Sequence, residues 1–290
     1  MRVTERSRIE TLSLANSRNA ERLDRAARIA SSNQRVTKPS DDPAAYGAMI
    51  RRDHDLAMLD THGEAASRTK DEFEIASNAL ATGVDLIERA QEAGVEGANG
   101  TSDSNTRKFL AADVRAMRTE LMSIGNTKYG DRYIFGGTKT DTIPFDTNGV
   151  FQGNDQQINV PVMDGVQLPG NVSGAKAFTA AGGRDLFADL DELASALDAN
   201  DQPRIANTLK NLGLGHDQLV RSQVEAGYGA RRFSDAIDVL SNTKAVVAER
   251  ESNDVNGDLS AQITDMQMAK NAYERSMAVT KQILSIQTPQ

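Results

Sequence analysis

At 290 residues the chain is long enough for one or two domains with a sizeable core, yet aromatics make up only 4% of it and tryptophan is absent. Without cysteine it has neither a disulfide framework nor a thiolate metal site, and a net charge of −8 argues against a nucleic-acid binder. No apolar run approaches the roughly 18 residues that span a bilayer, so membrane insertion is not expected.

The first element carries Ile9, Leu12, Asn16, Asn19, Leu23, Ala26 and Ala30 at steps of three and four, a narrow stripe on one helix. From Met1 to Lys38 there are nine Arg/Lys against four Asp/Glu, so this arm is basic within an acidic protein. The N-terminal stretch has no apolar core region and no small-residue cleavage site, which predicts that no secretory signal is cleaved. Proline at 39 ends the helix, and Ser40-Asp41-Asp42-Pro43 opens the next: an acidic acceptor at the cap, then proline at the first helical position. That second helix runs towards Gly94, with a thin section around Thr61–Lys70 that includes Gly63, and a loop follows at Gly97–Thr101. Leu110, Val114, Met117, Leu121 and Ile124 then mark a third helix that stops near Gly125-Asn126 or Gly130.

The middle changes character. Tyr133-Ile134-Phe135 is β-prone, glycines multiply up to Gly183, and Asn148-Gly149 and Asp164-Gly165 are hairpin-turn dipeptides. Ile158, Val160 and Val162 alternate before the second turn, and Val166 and Leu168 after it, giving a small β module that leans on flanking helices. Helix returns at Leu186, Leu190, Leu193 and Leu197. After the Asn200–Pro203 turn, the longest register in the chain runs unbroken from Ile205 through Leu212, His216, Leu219, Ala226 and Phe233 to Leu240, Lys244 and Val247. Gly213, Gly215, Gly227 and Gly229 within it point to close helix approach. The last helix shows two adjacent stripes. One holds Ile263, Met266, Lys270, Tyr273, Met277, Thr280 and Leu284, the other Ala269, Ala272, Ser276, Val279, Ile283 and Ile286. Two stripes need more than one partner, which suggests that other subunits complete the burial.

Catalytic chemistry finds no support. His54, His62 and His216 form no i, i+4 pair, and there is no phosphate-binding loop or dinucleotide fingerprint. Asp41-Asp42 could serve acid/base work but reads as a cap before Pro43, and Asn253–Asp258 lacks cation-loop spacing and reads as a polar turn. No catalytic, cofactor or metal residue is assigned, and an enzyme is not expected. Arg18, Arg22, Arg25 and Arg28 fit a solvated face or a charged contact with acidic neighbours or an export apparatus; the residues leave both open.

The block SSNQRVTKPSDDPAAYGAMIRRDHDLAM, Ser31 to Met58, resembles the N-terminal signature of the flagellin family. Residues Ala79 to Thr127 are similar to that family's helix pair joined by an A-N-G-T loop, and Tyr228-Gly229-Ala230-Arg231 through Leu284 to its G-x-R and terminal helices. Tyr129 to Thr140, with Pro144-Phe145, is similar to the hook-filament junction branch rather than to filament members. The resemblance implies a mainly α protein: a long antiparallel helical, coiled-coil bundle built by both termini, with a small β-rich module inserted. Its expected parts are residues 1–40 and 253–290 as terminal assembly helices, 41–135 and 185–252 as a helical rod, and 136–184 as an outward β module. It further implies export in unfolded form by the flagellar type III apparatus to an extracellular place in the flagellum. The implied partners are further copies in a ring or helical layer, a first junction protein, flagellin and an export chaperone. Ile9, Leu12, Asn16, Leu23, Ala26, Ile263, Met266, Tyr273, Met277 and Leu284 are then the assembly-face candidates, with Pro39, Ser40, Asp41, Asp42 and Pro43 as the helix-start turn. The competing readings are a minor flagellin of the filament and an exported adhesin or effector.

Overall fold

The computed structural model describes residues 2–256 and 258–286. Long helices dominate: α1 (Arg2–Ser32), α2 (Pro43–Ala98), α3 (Ser104–Gly125), a short α4 (Gly174–Phe178), α5 (Leu186–Asp198), α6 (Gln202–Val255) and α7 (Leu259–Ile286). Two antiparallel strand pairs interrupt them, β1 (Lys128–Tyr129) with β2 (Arg132–Tyr133), and β3 (Asn159–Met163) with β4 (Val166–Pro169). The fold is thus mainly α with a small β module, as the sequence predicts. Its contacts gather into two compact units, Met1–Met58 with Thr243–Gln290, and Leu59–Asn242.

Helix ends follow local chemistry. Asn33 leaves α1 in the left-handed region at φ 56°, which asparagine tolerates, and Asn200 does the same at φ 58° between α5 and α6. Asp103 caps α3 by accepting from the Thr106 N–H at 2.7 Å, and Asp185 caps α5 by accepting from that of Ala188 at 3.0 Å.

In the second unit, α2, α3, α5 and α6 share one core. Gly83 of α2 lies where a Cβ would stand 3.4 Å from Leu121 of α3 and 3.7 Å from Leu219 of α6, and α3 packs on α5. The register predicted for α6 is the core row. Ile205, Leu212, Leu219, Ala226, Phe233 and Leu240 are buried, and Leu209, His216, Gln223, Ala230 and Ile237 between them are half-buried. A second buried row runs beside it: Thr208, Gly215, Gln218, Ser222 and Gly229. Here the glycine expectation divides. A Cβ on Gly215 would overlap Leu186, and one on Gly229 would overlap the Phe73 ring, which stacks on Phe233 at 5.8 Å. A Cβ on Gly213 or Gly227 would meet no neighbouring atom within 4 Å, so close approach within the chain does not account for those two.

The β module corrects the sequence in two places. Asn148-Gly149 forms its turn, with Gly149 at φ 83°, but joins only a single bridge, Phe145 to Phe151. Asp146 takes over instead: one carboxylate oxygen accepts from the Asn148 and Val150 N–H groups, each at 2.9 Å, a side-chain turn in place of a ladder. Only Tyr133 of the β-prone tripeptide is in a strand, because Ile134 and Phe135 turn into the core. Asp164-Gly165 does make a hairpin, with a register irregularity between Pro161 and Met163 that leaves Val166 exposed. Phe135, Phe145, Phe178 and Phe187 form a buried aromatic cluster with centroids 5.1–6.2 Å apart, so the module is held by rings more than by strands.

Candidate assembly surfaces

In the first unit, α1 packs on α7. Leu12, Asn16, Asn19, Leu23, Ala26 and Ala30 line the α1 side, and all are half-buried; among the described residues of α1 none is fully buried. The α7 side takes Met266, Tyr273 and Thr280 from one predicted stripe and Ala269, Ser276 and Ile283 from the other, and adds Gln262, which lay in neither, at unbroken steps of four and three. The two helices run antiparallel, which follows from their partners. Asn16 donates to the Thr280 Oγ1 at 2.9 Å and accepts from the Ser276 hydroxyl, while Ala26 and Ile29 lie by Gln262 and Ala269. Of the assembly-face candidates, Leu12, Asn16, Leu23, Ala26, Met266 and Tyr273 therefore line the seam. Ile9, Ile263 and Met277 lie on outer faces, 41–46% exposed, and the Leu284 side chain falls outside the described residues. The polar contact of Asn16 with Ser276 and Thr280 is not legible in an apolar-stripe count, nor is Gln262, whose buried amide has no hydrogen-bond partner within the described residues.

The connector 33–42 folds onto the same unit. Asp42 caps α2 by accepting from the Ala45 N–H at 3.0 Å, with Pro43 at the first helical position. Asp41, expected to share the capping, does different work. It accepts from the Thr37 N–H at 3.2 Å, the Thr37 hydroxyl at 3.1 Å and the Lys38 N–H at 3.1 Å, and pairs with Arg25 of α1. The Thr37 backbone bond is the main cause that holds its carboxyl below the ordinary value, and for Asp42 the Ala45 backbone bond, joined by Arg35, does the same. Val36, 1% exposed, anchors the connector, and Pro39 and Ser40 stand exposed at its bend. Arg18, Arg22, Arg25, Arg28 and Lys38 line a groove beside it. Part of the basic charge is thus used inside the chain, since Arg28 pairs with Asp24 at 3.1 Å as well.

Two polar clamps brace the second unit. Arg107, 4% exposed, donates from Nε to the Gly97 carbonyl at 2.7 Å and from a guanidinium nitrogen to the Asn99 carbonyl at 3.0 Å, closing the end of α2. Gln218, 2% exposed, donates to the Ala177, Thr179 and Arg184 carbonyls at 3.0–3.2 Å and accepts from the Arg184 N–H at 2.8 Å, tying the β module to α6. Among the described residues no group of three metal-ligating side chains is brought together, and His216 lies 3.1 Å from the Glu88 carboxylate.

Residues 4–140 match the family described as the bacterial flagellin N-terminal helical region. That stretch of the chain is a flagellin N-terminal helical domain. Flagellin-family chains are structural rather than catalytic, and their place is the bacterial flagellum. The flagellar hook-associated protein 3 of Escherichia coli is 27% identical over 271 residues, covering 85% of each chain. That of Salmonella typhimurium is 31% identical over 150 residues, which are 51% of this chain and 47% of that protein. A solved structure from Vibrio parahaemolyticus, described as a flagellar hook-associated protein, superposes with a TM-score of 0.69 over 74% of this chain and all of that one, at 19% identity, so the fold is shared.

Proposed function

We propose that this chain is the hook-filament junction adaptor of a bacterial flagellum, the subunit on which flagellin polymerises. The carrying observation is the α1–α7 seam. Its heptad runs from Leu12 to Ala30 of α1 and leaves every lining residue on that helix only half-buried, while Ile9, Ile263 and Met277 stay outside it. A pair of long helices with so little closed core gains its stability from neighbours, since ordering each residue costs about 1–2 kcal/mol of backbone entropy. Ile9, Leu12, Asn16, Leu23, Ala26, Ile263, Met266, Tyr273, Met277 and Leu284 form the assembly faces in this reading, and the turn Pro39–Pro43 sets the direction of the chain leaving them. Residues 1–40 and 253–290 are the inner helices, 41–135 and 185–252 the rod, and 136–184 the outward module. The partners are further copies of the chain, the first junction protein below and flagellin above. Export in unfolded form by the flagellar type III apparatus, with a chaperone, fits helices that fold on arrival.

Deletion of the gene tests this reading. Hooks without filaments, with flagellin released into the medium, are the expected result. Intact filaments of normal composition would overturn it, and filaments depleted of one component would favour a minor flagellin.

A further inference from the structure

Asn-Gly pairs stand at 99–100, 148–149 and 256–257. In such a pair the glycine nitrogen can attack the preceding carboxamide, because no Cβ on the glycine obstructs the approach. The sequence makes the three alike; the fold separates two of them, and Gly257 lies outside the described residues. At Asn148-Gly149 the nitrogen is engaged. The Gly149 N–H donates to the Asp146 carbonyl at 2.9 Å, and Gly149 is buried against Phe187. At Asn99-Gly100, in the turn between α2 and α3, both residues are exposed. The Gly100 N–H makes no hydrogen bond among the described residues, and a Cβ there would meet nothing within 4 Å. The carbonyl of that same peptide is doubly held: the Asn99 oxygen accepts from the Arg107 guanidinium at 3.0 Å and from the Ser102 N–H at 3.1 Å. A buried cation and a second donor draw electron density from the peptide, which makes its N–H easier to ionise. The Asn99 carboxamide oxygen accepts from the Thr101 N–H at 3.3 Å. This side-chain turn folds the carboxamide back over the Gly100 peptide and sets a donor on the oxygen where charge develops during attack.

We propose that Asn99 is a site of spontaneous modification, converted to isoaspartate by the turn that holds it. The Gly100 nitrogen gives its proton to solvent, and its electron pair forms a bond to Asn99 Cγ. The Cγ–Nδ2 bond breaks, and the side-chain nitrogen leaves as ammonia after taking a proton from solvent. Water then opens the succinimide so formed. Opening at the Asn99 main-chain carbonyl breaks its bond to the Gly100 nitrogen, frees that carbon as a carboxylate and runs the chain on through Cβ and Cγ. The group that Arg107 already holds thereby changes from a neutral carbonyl to a carboxylate, a charge-assisted pair. Isoaspartate is therefore the product this turn favours over aspartate. The change lengthens the α2–α3 turn by a methylene and adds a negative charge, independently of what the chain assembles with.

The test incubates the purified full-length chain in mildly alkaline buffer beside a synthetic peptide of residues 90–107, the tryptic fragment that holds Asn99. Samples taken over time are digested and mapped by mass spectrometry, with isoaspartate counted by methyltransferase labelling. The fragment from the folded chain is expected to gain about 1 Da, at least about threefold faster than the free peptide and mainly as isoaspartate. The fragment holding Asn148 stays unchanged. Arg107→Gln should bring the Asn99 rate down to that of the free peptide, and Arg107→Lys, which keeps a cation, should retain part of the gain. Protection of Asn148 reports that these variants remain folded. Should Arg107→Gln not fold, Thr101→Pro, at an exposed position, removes the N–H on the carboxamide oxygen and carries the same expectation. A rate in the folded chain at or below that of the peptide overturns the proposal, as does equal modification at Asn148. An undiminished rate in Arg107→Gln and Thr101→Pro would overturn the part assigned to the turn.

Discussion

Glu72 shows what burial does to a single charge. Its side chain is 15% exposed, and burial raises its carboxyl above the ordinary value despite Arg132 at 3.4 Å and the nearby Arg68. A carboxyl whose pKa is raised by folding favours the folded state more as pH falls through that value, and opposes it once ionised at neutral pH. Glu72→Gln is therefore expected to stabilise the protein at pH 7 by up to about 1 kcal/mol, with the gain shrinking as the solution is acidified. Urea unfolding at pH 7 and pH 4.5 measures this; a loss of stability at pH 7 would show that the Arg132 pair outweighs the burial. Asp41 and Asp42 have the opposite sign. Their lowered values place the connector's contribution above the ordinary aspartate range, to be lost only in acid.

At the scale of elements, the glycines of α6 make a paired comparison. Gly229→Ala pushes a methyl into the Phe73 ring and is expected to cost about 1–3 kcal/mol. Gly213→Ala and Gly227→Ala meet open space and should each stabilise the lone chain by about 0.5–1 kcal/mol. Thermal melting of the three single variants checks both signs, and a destabilising Gly227→Ala would contradict the account. The same helix shows what the sequence could reveal. The apolar register of α6 was readable from Ile205 to Leu240, because one buried stripe repeats without a slip. The second buried row, Thr208 with Gln218 and Ser222, was not, since polar residues reveal burial only once their partners are in place. In α7 the seam alternates between two predicted stripes, because Asn16 prefers the hydroxyls of Ser276 and Thr280 to a purely apolar face. The aromatic cluster was hidden by composition. Five of eight phenylalanines, Phe135, Phe145, Phe151, Phe178 and Phe187, gather in a region whose chain average is 4% aromatic.

For the whole molecule, the two units differ in what they close off. The second unit buries a continuous core, whereas in the first only Val36, Gln262 and Ala269 are buried among the described residues. Opening of α1 and α7 should therefore cost far less than opening of α3 or α5. Hydrogen exchange of the isolated chain is expected to reach completion first at residues 2–32 and 259–286, and last at 110–121 and 205–233. Equal protection in both sets would refute the difference.

The contact of Asn16 has a consequence for measurement rather than for strength. A seam whose α1 side is only half-buried fixes its alignment weakly through packing alone, so a displacement of one heptad is opposed mainly by specific polar contacts. Displaced by a heptad, Asn16 would face Ala269 and Tyr273 instead of two hydroxyls, and a lone amide among such neighbours specifies alignment. Such a slip would move the free helix ends by about 10.5 Å. The amide thus works as a length standard: each copy that closes its seam has the same span as the one before it.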